Sequence, residues 1–171
     1  MIQELTFIEK SVFTQLNLTI SHLHPDSESE EYLGYNFRLN QYHIKFRKAK
    51  TTPIKNGQFV TLWKRNQQTQ QTGPFTISDP FDFYMIYTEL QDKAGFFFFP
   101  KQILARQHII TSSAKEGKRG FRIYPNWDIP VNKQAAKTKS WQEKFSLTSQ
   151  KLTIWKEFGK FYLFHIALNT L

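Results

Sequence analysis

Asp79, Asp82 and Lys101 are the residues whose types and spacing most directly suggest chemistry. They flank FDFYMIYTEL and FFFFP, two apolar and aromatic runs that pair as an antiparallel hairpin if the chain turns at 92–93. Position 82 then lies across from about position 103, which brings Asp82 and Lys101 to one end of a buried hairpin. A carboxylate beside a lysine at a sheet edge suits metal-dependent phosphodiester cleavage: the acid holds Mg²⁺ and the lysine positions or activates water. Asp79, three residues earlier, offers a second oxygen ligand. The alternative is a structural ion pair where two strands leave the core, and intramolecular pairs of that kind are the more common finding.

Other reaction chemistries find no support. The chain has no cysteine, which removes disulfides, thiolate nucleophiles and cysteine-ligated metals. Its five histidines, His22, His24, His43, His108 and His165, form no helical metal pair and read as surface or core residues. GxGxxG, GxxxxGK[ST] and GxSxG are all absent.

Charge is the second signal. A net +9, from 23 Lys and Arg against 14 Asp and Glu, favours a polyanionic partner. Acids cluster early, at Asp26, Glu28, Glu30 and Glu31, and none follows between Tyr32 and Ser78. That window holds Arg38, Lys45, Arg47, Lys48, Lys50, Lys55, Lys64 and Arg65, together with Trp63. Cations without neighbouring carboxylates attract phosphate across a Debye length of roughly 8 Å. GKRGFRIYPNW repeats the mixture, with Lys118, Arg119 and Arg122 set among Phe121, Tyr124 and Trp127. Such cations hold phosphates while the rings stack on bases. A solvated face that serves only solubility, with Phe121 and Tyr124 in the core, is the competing reading.

The elements that must position these groups follow from periodicity. Leu5, Ile8, Val12, Phe13 and Leu16 predict an amphipathic helix over 4–16, and HPDSESEE predicts a surface loop. GYNFRLN and YHIKFRK predict two antiparallel strands, with Ile44 and Phe46 facing one way and Lys45 and Arg47 the other. Phe59, Leu62 and Trp63 fit a short helix, and RNQQTQQTGP a polar loop. Helices are expected at PKQILARQHII, at 132–145 with Asn132 as its cap, and at the start of SQKLTIWKEFGKFYLFHIAL up to Phe158. A strand is expected at 121–124.

At 171 residues the expectation is one domain, with no stretch reaching the ~18 apolar residues of a membrane span. MIQELTFIEK lacks the plan of a signal peptide, and a soluble cytoplasmic protein is expected.

FRKAKTTPIKNGQFVTLWKR, DPFDFYMIY, FFFFPKQIL, GKRGFRIYPNW and KTKSWQEKF, in this order, resemble the MepB family over about 32–145. That family takes its name from a gene beside a multidrug efflux pump. The resemblance implies an α/β (α+β) domain with a central mixed sheet flanked by helices, similar to restriction-endonuclease-like proteins and their PD-x(n)-(D/E)xK site. Carried over, the motif's Asp falls on Asp82 and its Lys on Lys101. Two positions depart from the motif: Phe99 stands where the second acid belongs, and Phe81 replaces the Pro before Asp82.

The reading is a largely nonspecific binder of nucleic acid, DNA or RNA, using Arg47, Lys48, Lys50, Lys55, Lys64, Arg65, Lys118, Arg119 and Arg122 with the rings of Trp63, Tyr124 and Trp127. One alternative is a Mg²⁺-dependent nuclease centred on Asp82 and Lys101, and Mg²⁺ is the one cofactor the reading raises. Another is an accessory protein that binds an anionic small molecule or a protein partner.

Overall fold

The computed structural model describes residues 1–148. The N-terminal periodicity gives helix α1 at Gln3–Ile8, continued by a π turn at Glu9–Phe13 and a 3₁₀ turn at Thr14–Leu16. Strand β1, Ile20–Pro25, runs through the first residues expected to be loop. The acidic segment then winds into 3₁₀ turns at Ser27–Tyr32 that bury Ser29. Strands β2, Tyr35–Leu39, and β3, Tyr42–Lys48, form the expected hairpin, with Asn40 in the left-handed region (φ 53°) at its turn.

The helix expected around Phe59 to Trp63 is instead strand. After the two-residue β4, Lys50–Thr51, come β5, Gln58–Thr61, and β6, Trp63–Arg65, which pairs with β7, Thr72–Pro74. Val60 and Leu62 are both buried, so the segment follows the period of two that a pleated strand imposes. The helical spacing of Phe59, Leu62 and Trp63 was a coincidence of short length.

The central hairpin is β8, Phe83–Leu90, and β9, Lys93–Pro100, followed by the short helix α2, Lys101–Arg106. Its register pairs Phe83 with Pro100, so Lys101 rather than position 103 stands across from Asp82. Strand β10 covers Gly120–Ile123 and helix α3 Lys133–Gln142, with a 3₁₀ turn at Glu143–Phe145. The Asn132 side chain caps α3 by accepting from the Ala135 amide at 2.8 Å. A last strand, β11, Ser146–Thr148, falls where no strand was expected. The helix predicted up to Phe158 lies outside the described residues.

Six strands make a mixed sheet in the order β1-β2-β3-β8-β9-β11, in which β3 and β8 are parallel. One face packs Phe37, Ile44, Phe46, Met85, Phe96 and Phe98 beneath the N-terminal helical segment. The opposite face carries Tyr84, Ile86, Phe97 and Phe99 against Val60 and Leu62, against Phe121 and Ile123 of the smaller β10-β5-β4 sheet, and against Leu104 of α2. Phe99 sits at that layer's centre, 5.2 Å from Trp141 and 5.7 Å from Phe145 between ring centroids. Alternation explains both faces: each strand of the central hairpin is apolar on both sides because both sides are covered.

On the second face, β3 presents Arg47, which is 1% exposed. Its guanidinium donates to Asp26 Oδ2 at 2.5 Å and to the Phe46 carbonyl at 2.7 Å. Lys45 donates to the same Asp26 oxygen at 3.2 Å and to Asn36 Oδ1 at 2.8 Å. Burial works to raise the Asp26 carboxyl, but the charges of Arg47 and Lys45 outweigh it and hold that carboxyl below its ordinary range. Stability from this depression is present above the unfolded carboxyl value near 3.9 and drains as pH falls through the lower folded value.

Replacing Asp26 by Ala leaves the Arg47 charge buried and unpaired, with an expected loss of about 3 kcal/mol in urea unfolding. Glu31→Ala, which removes an exposed partner 3.4 Å from Lys50, is expected to cost at most about 0.5 kcal/mol in the same assay.

Candidate functional site

The segment 75–82, FTISDPFD, joins β7 to β8 and gathers the residues singled out for chemistry. It is held at several points. Thr111 donates its amide to the Phe75 carbonyl at 2.8 Å and accepts from the Ile77 amide at 2.9 Å. Asp79 closes a local turn, its Oδ2 accepting from the Thr76 amide at 2.6 Å and the Thr76 hydroxyl at 3.0 Å. Its other oxygen accepts from Lys64 Nζ at 2.5 Å. Burial pushes the Asp79 carboxyl up, but the Lys64 and Thr76 hydrogen bonds win and hold it below its usual range.

Asp82 and Lys101 are neighbours along the backbone, the Lys101 amide donating to the Asp82 carbonyl at 2.9 Å. Their head groups take other partners. Asp82 Oδ2 accepts from the His43 amide at 2.8 Å and lies 3.5 Å from His43 Nδ1. Lys101 Nζ donates to the Asp79 carbonyl at 2.9 Å and lies 5.5 Å from the centroid of the Phe81 ring. The two side chains therefore lock the ends of the segment 79–82.

A Mg²⁺ centre needs several oxygen ligands in near-octahedral array. Here both Asp79 oxygens are engaged, one Asp82 oxygen is held by His43, and the position of the second motif acid is the fully buried ring of Phe99. Among the described residues no three His, Asp or Glu side chains are grouped to hold a metal ion. Asp82 and Asp79 do not fit the metal role the sequence suggested.

The cations of the basic stretch meet acids from remote parts of the chain. Arg47 is buried on Asp26, where no phosphate can reach it. Lys48 bridges Glu4 at 3.1 Å and Glu89 at 2.5 Å; Lys50 pairs with Glu31 and lies over the Tyr32 ring; Lys64 pairs with Asp79. Arg65 approaches Glu28 at 4.0 Å, donates to the Gln70 carbonyl and lies over the Trp63 ring. The local absence of acids between Tyr32 and Ser78 thus did not leave these cations unpaired, because folding brings to them acids from before the window, Glu4, Asp26, Glu28 and Glu31, and from after it, Asp79 and Glu89.

Arg122 fastens a loop, donating through Nη1 to the carbonyls of Lys55, Asn56 and Gly57 and through Nη2 to Thr52 Oγ1 at 2.9 Å. Tyr124 is 8% exposed, and a Cβ on Gly57 (φ 80°) would meet its ring at 2.7 Å, so the ring is walled in rather than offered for stacking. The Trp127 indole nitrogen is also buried, although the residue is partly exposed. Lys55, Lys118 and Arg119 are exposed and pair with no acid among the described residues. Arg119 accepts the Leu62 amide at 2.8 Å through its carbonyl, which brings Lys118 and Arg119 beside the start of β6, where Trp63, Lys64 and Arg65 stand.

Asp26, Asn36, Lys45 and His43 were missed as site residues. Strand alternation held the signal: Asn36 pairs with Lys45 and Arg38 with His43 across β2 and β3, which stacks polar side chains on one face.

A mixed sheet layered between an N-terminal helical segment and a smaller β-sheet, with basic residues around the 75–82 segment, defines an α/β protein with few helices. The family model for MepB-like proteins matches residues 26–147, and the chain belongs to that family. A crystal structure of MepB is similar, at 28% identity over 87% of this chain and 98% of that one, with a TM-score of 0.75. A bacterial homing endonuclease aligns over 91% of this chain and 93% of its own at 8% identity with a TM-score of 0.46, a likeness too low to support a functional argument. No curated protein matches.

Asp79→Ala removes three hydrogen bonds from the segment 75–82; a loss of about 2 kcal/mol is expected, with faster amide exchange at Thr76. Millimolar Mg²⁺ is expected to leave the Tm of the unaltered protein unchanged, since no site would bind it in the folded state.

Proposed function

We propose that this protein binds nucleic acid with little sequence preference, mainly through backbone phosphates. The observation that carries the reading is the exposed pair Lys118 and Arg119, without an acid partner among the described residues, beside Trp63, Lys64 and Arg65, in a chain whose net charge is +9. Exposed cations of this kind release counterions from a phosphate backbone, which supplies sequence-independent affinity. Lys55 is a further exposed cation, while Arg47, Lys48 and Arg122 serve the fold through the pairs described above. Trp63 is the partly exposed ring best placed to stack on a base.

Phosphodiester cleavage at Asp82 and Lys101 fits the geometry less well, because neither head group faces the other and the metal ligands are committed elsewhere. The nuclease-type scaffold implied by the family resemblance is thus read as a platform for binding. A cytoplasmic location goes with this reading, and among the described residues no helix is long and apolar enough to cross a membrane.

Fluorescence polarisation with a labelled oligonucleotide tests the proposal. Affinity should fall steeply with salt, and the slope of log K against log salt should shrink by roughly one for each of Lys118→Ala and Arg119→Ala. Lys48→Ala should leave the slope unchanged. Lack of binding at low salt, or affinity indifferent to salt, would overturn the reading.

A further inference from the structure

The second face of the large sheet changes character halfway across. Under β8 and β9 it is aromatic; under β1, β2 and β3 it is polar and basic, and it borders a cleft of about 510 Å³. Two cross-strand rows furnish that cleft: Arg38 of β2 pairs with His43 of β3, and His24, Asn36 and Lys45 align across all three strands. His22 joins them at an irregularity in β1 between Ser21 and His24, where its own backbone is left-handed (φ 53°). Phe75 and Phe81 form an apolar wall on one side.

Ring orientation decides what these histidines offer. His24 Nδ1 lies 3.2 Å from the Pro25 carbonyl, which can only accept, so that nitrogen carries a proton. His43 Nδ1 is turned to the Asp82 carboxylate at 3.5 Å, which orients its proton in the same way. In each ring Nε2 remains for a ligand, as an acceptor in the neutral ring and as a donor once a second proton is bound. Neutral rings so oriented would suit a metal, but Arg38 stands directly across from His43, and its positive charge opposes a cation. Arg38 is exposed, and its guanidinium has no hydrogen-bond or ion-pair partner among the described residues. The nearby acids, Asp82 and Asp26, are already held, by His43 in one case and by Lys45 and Arg47 in the other.

We infer that this cleft on β1, β2 and β3 is a binding site for a phosphate group, gripped by the Arg38 guanidinium and by the imidazoles of His24 and His43. A planar guanidinium fork matches phosphate oxygens. The cleft is far larger than a bare phosphate and has an apolar wall, so it suits a phosphate ester with an organic group seated on Phe75 and Phe81. The residues that carry this inference, Arg38, His24 and His43, are not among those that carry the nucleic-acid reading.

Imidazole ¹H–¹⁵N spectra of the full chain test it, with inorganic phosphate, phenyl phosphate and Zn²⁺ alone as probes. Both phosphates should shift the His24 and His43 signals saturably, phenyl phosphate more tightly. Arg38→Ala should weaken phosphate binding by about tenfold or more, and Arg38→Lys by less, with Tm unchanged in either variant. Competition by a 5′-phosphorylated but not a 5′-hydroxyl oligonucleotide would place the phosphate on a nucleic-acid end; phenyl phosphate binding without such competition would place it on a free ester, and both support the site. No saturable shift with either phosphate, affinity untouched in Arg38→Ala, or histidine shifts with Zn²⁺ alone would overturn it.

Discussion

Asp26 compensates a guanidinium that the sheet has taken almost wholly out of water, and the polar half of the second face is arranged around that pair. A buried charge is tolerated only when paired and hydrogen-bonded, so the acidic segment before β2 must fold back over β3. Its 3₁₀ turns, the buried Ser29 and the contacts of Lys45 with Asp26 and Asn36 belong to the same settlement. Glu28 and Glu31 come along and reach Arg65 and Lys50. Much of the basic stretch is thereby spent inside the molecule, and the charge left to face a partner lies elsewhere on the surface.

The segment 75–82 works by a related logic. Its acids and the lysine that follows look in the sequence like a reaction centre, yet in the fold they act as clamps on backbone groups. The same residue types serve either purpose; what separates them is which groups their charged ends face, and that depends on neighbours from β3, β6 and α2.

How far the sequence foretold this depends on range. The β8–β9 hairpin was legible because unbroken apolar runs around a polar turn leave few alternatives, and the meeting of Asp82 with Lys101 followed to within two residues. The β2–β3 hairpin, the first helix and the Asn132 cap were legible from local patterns. Strands β5 and β6 were not, since a few residues sample too little of any period to tell 2.0 from 3.6. The charge pairing was not legible at all: Lys48 and Glu4 are 44 positions apart, and Arg47 and Asp26 are 21 apart, separations over which spacing says nothing about contact. Phe99 was legible as a departure from the motif, and its place beneath Trp141 and Phe145 shows why an acid there would have no water.

The parallel junction between β3 and β8 bears on how the chain acquires its shape during synthesis. The residues between those strands, 49–82, must leave the ribosome and turn back before the middle of the sheet can zip together. Until then the early meander of β1, β2 and β3 has, besides the outer edge of β1, a second open margin on β3, a row of unsatisfied amides and carbonyls able to recruit a stray strand from another nascent chain. Lys48, partly exposed at the end of that margin strand, is the kind of edge charge that discourages such pairing and guards the growing polypeptide against clumping.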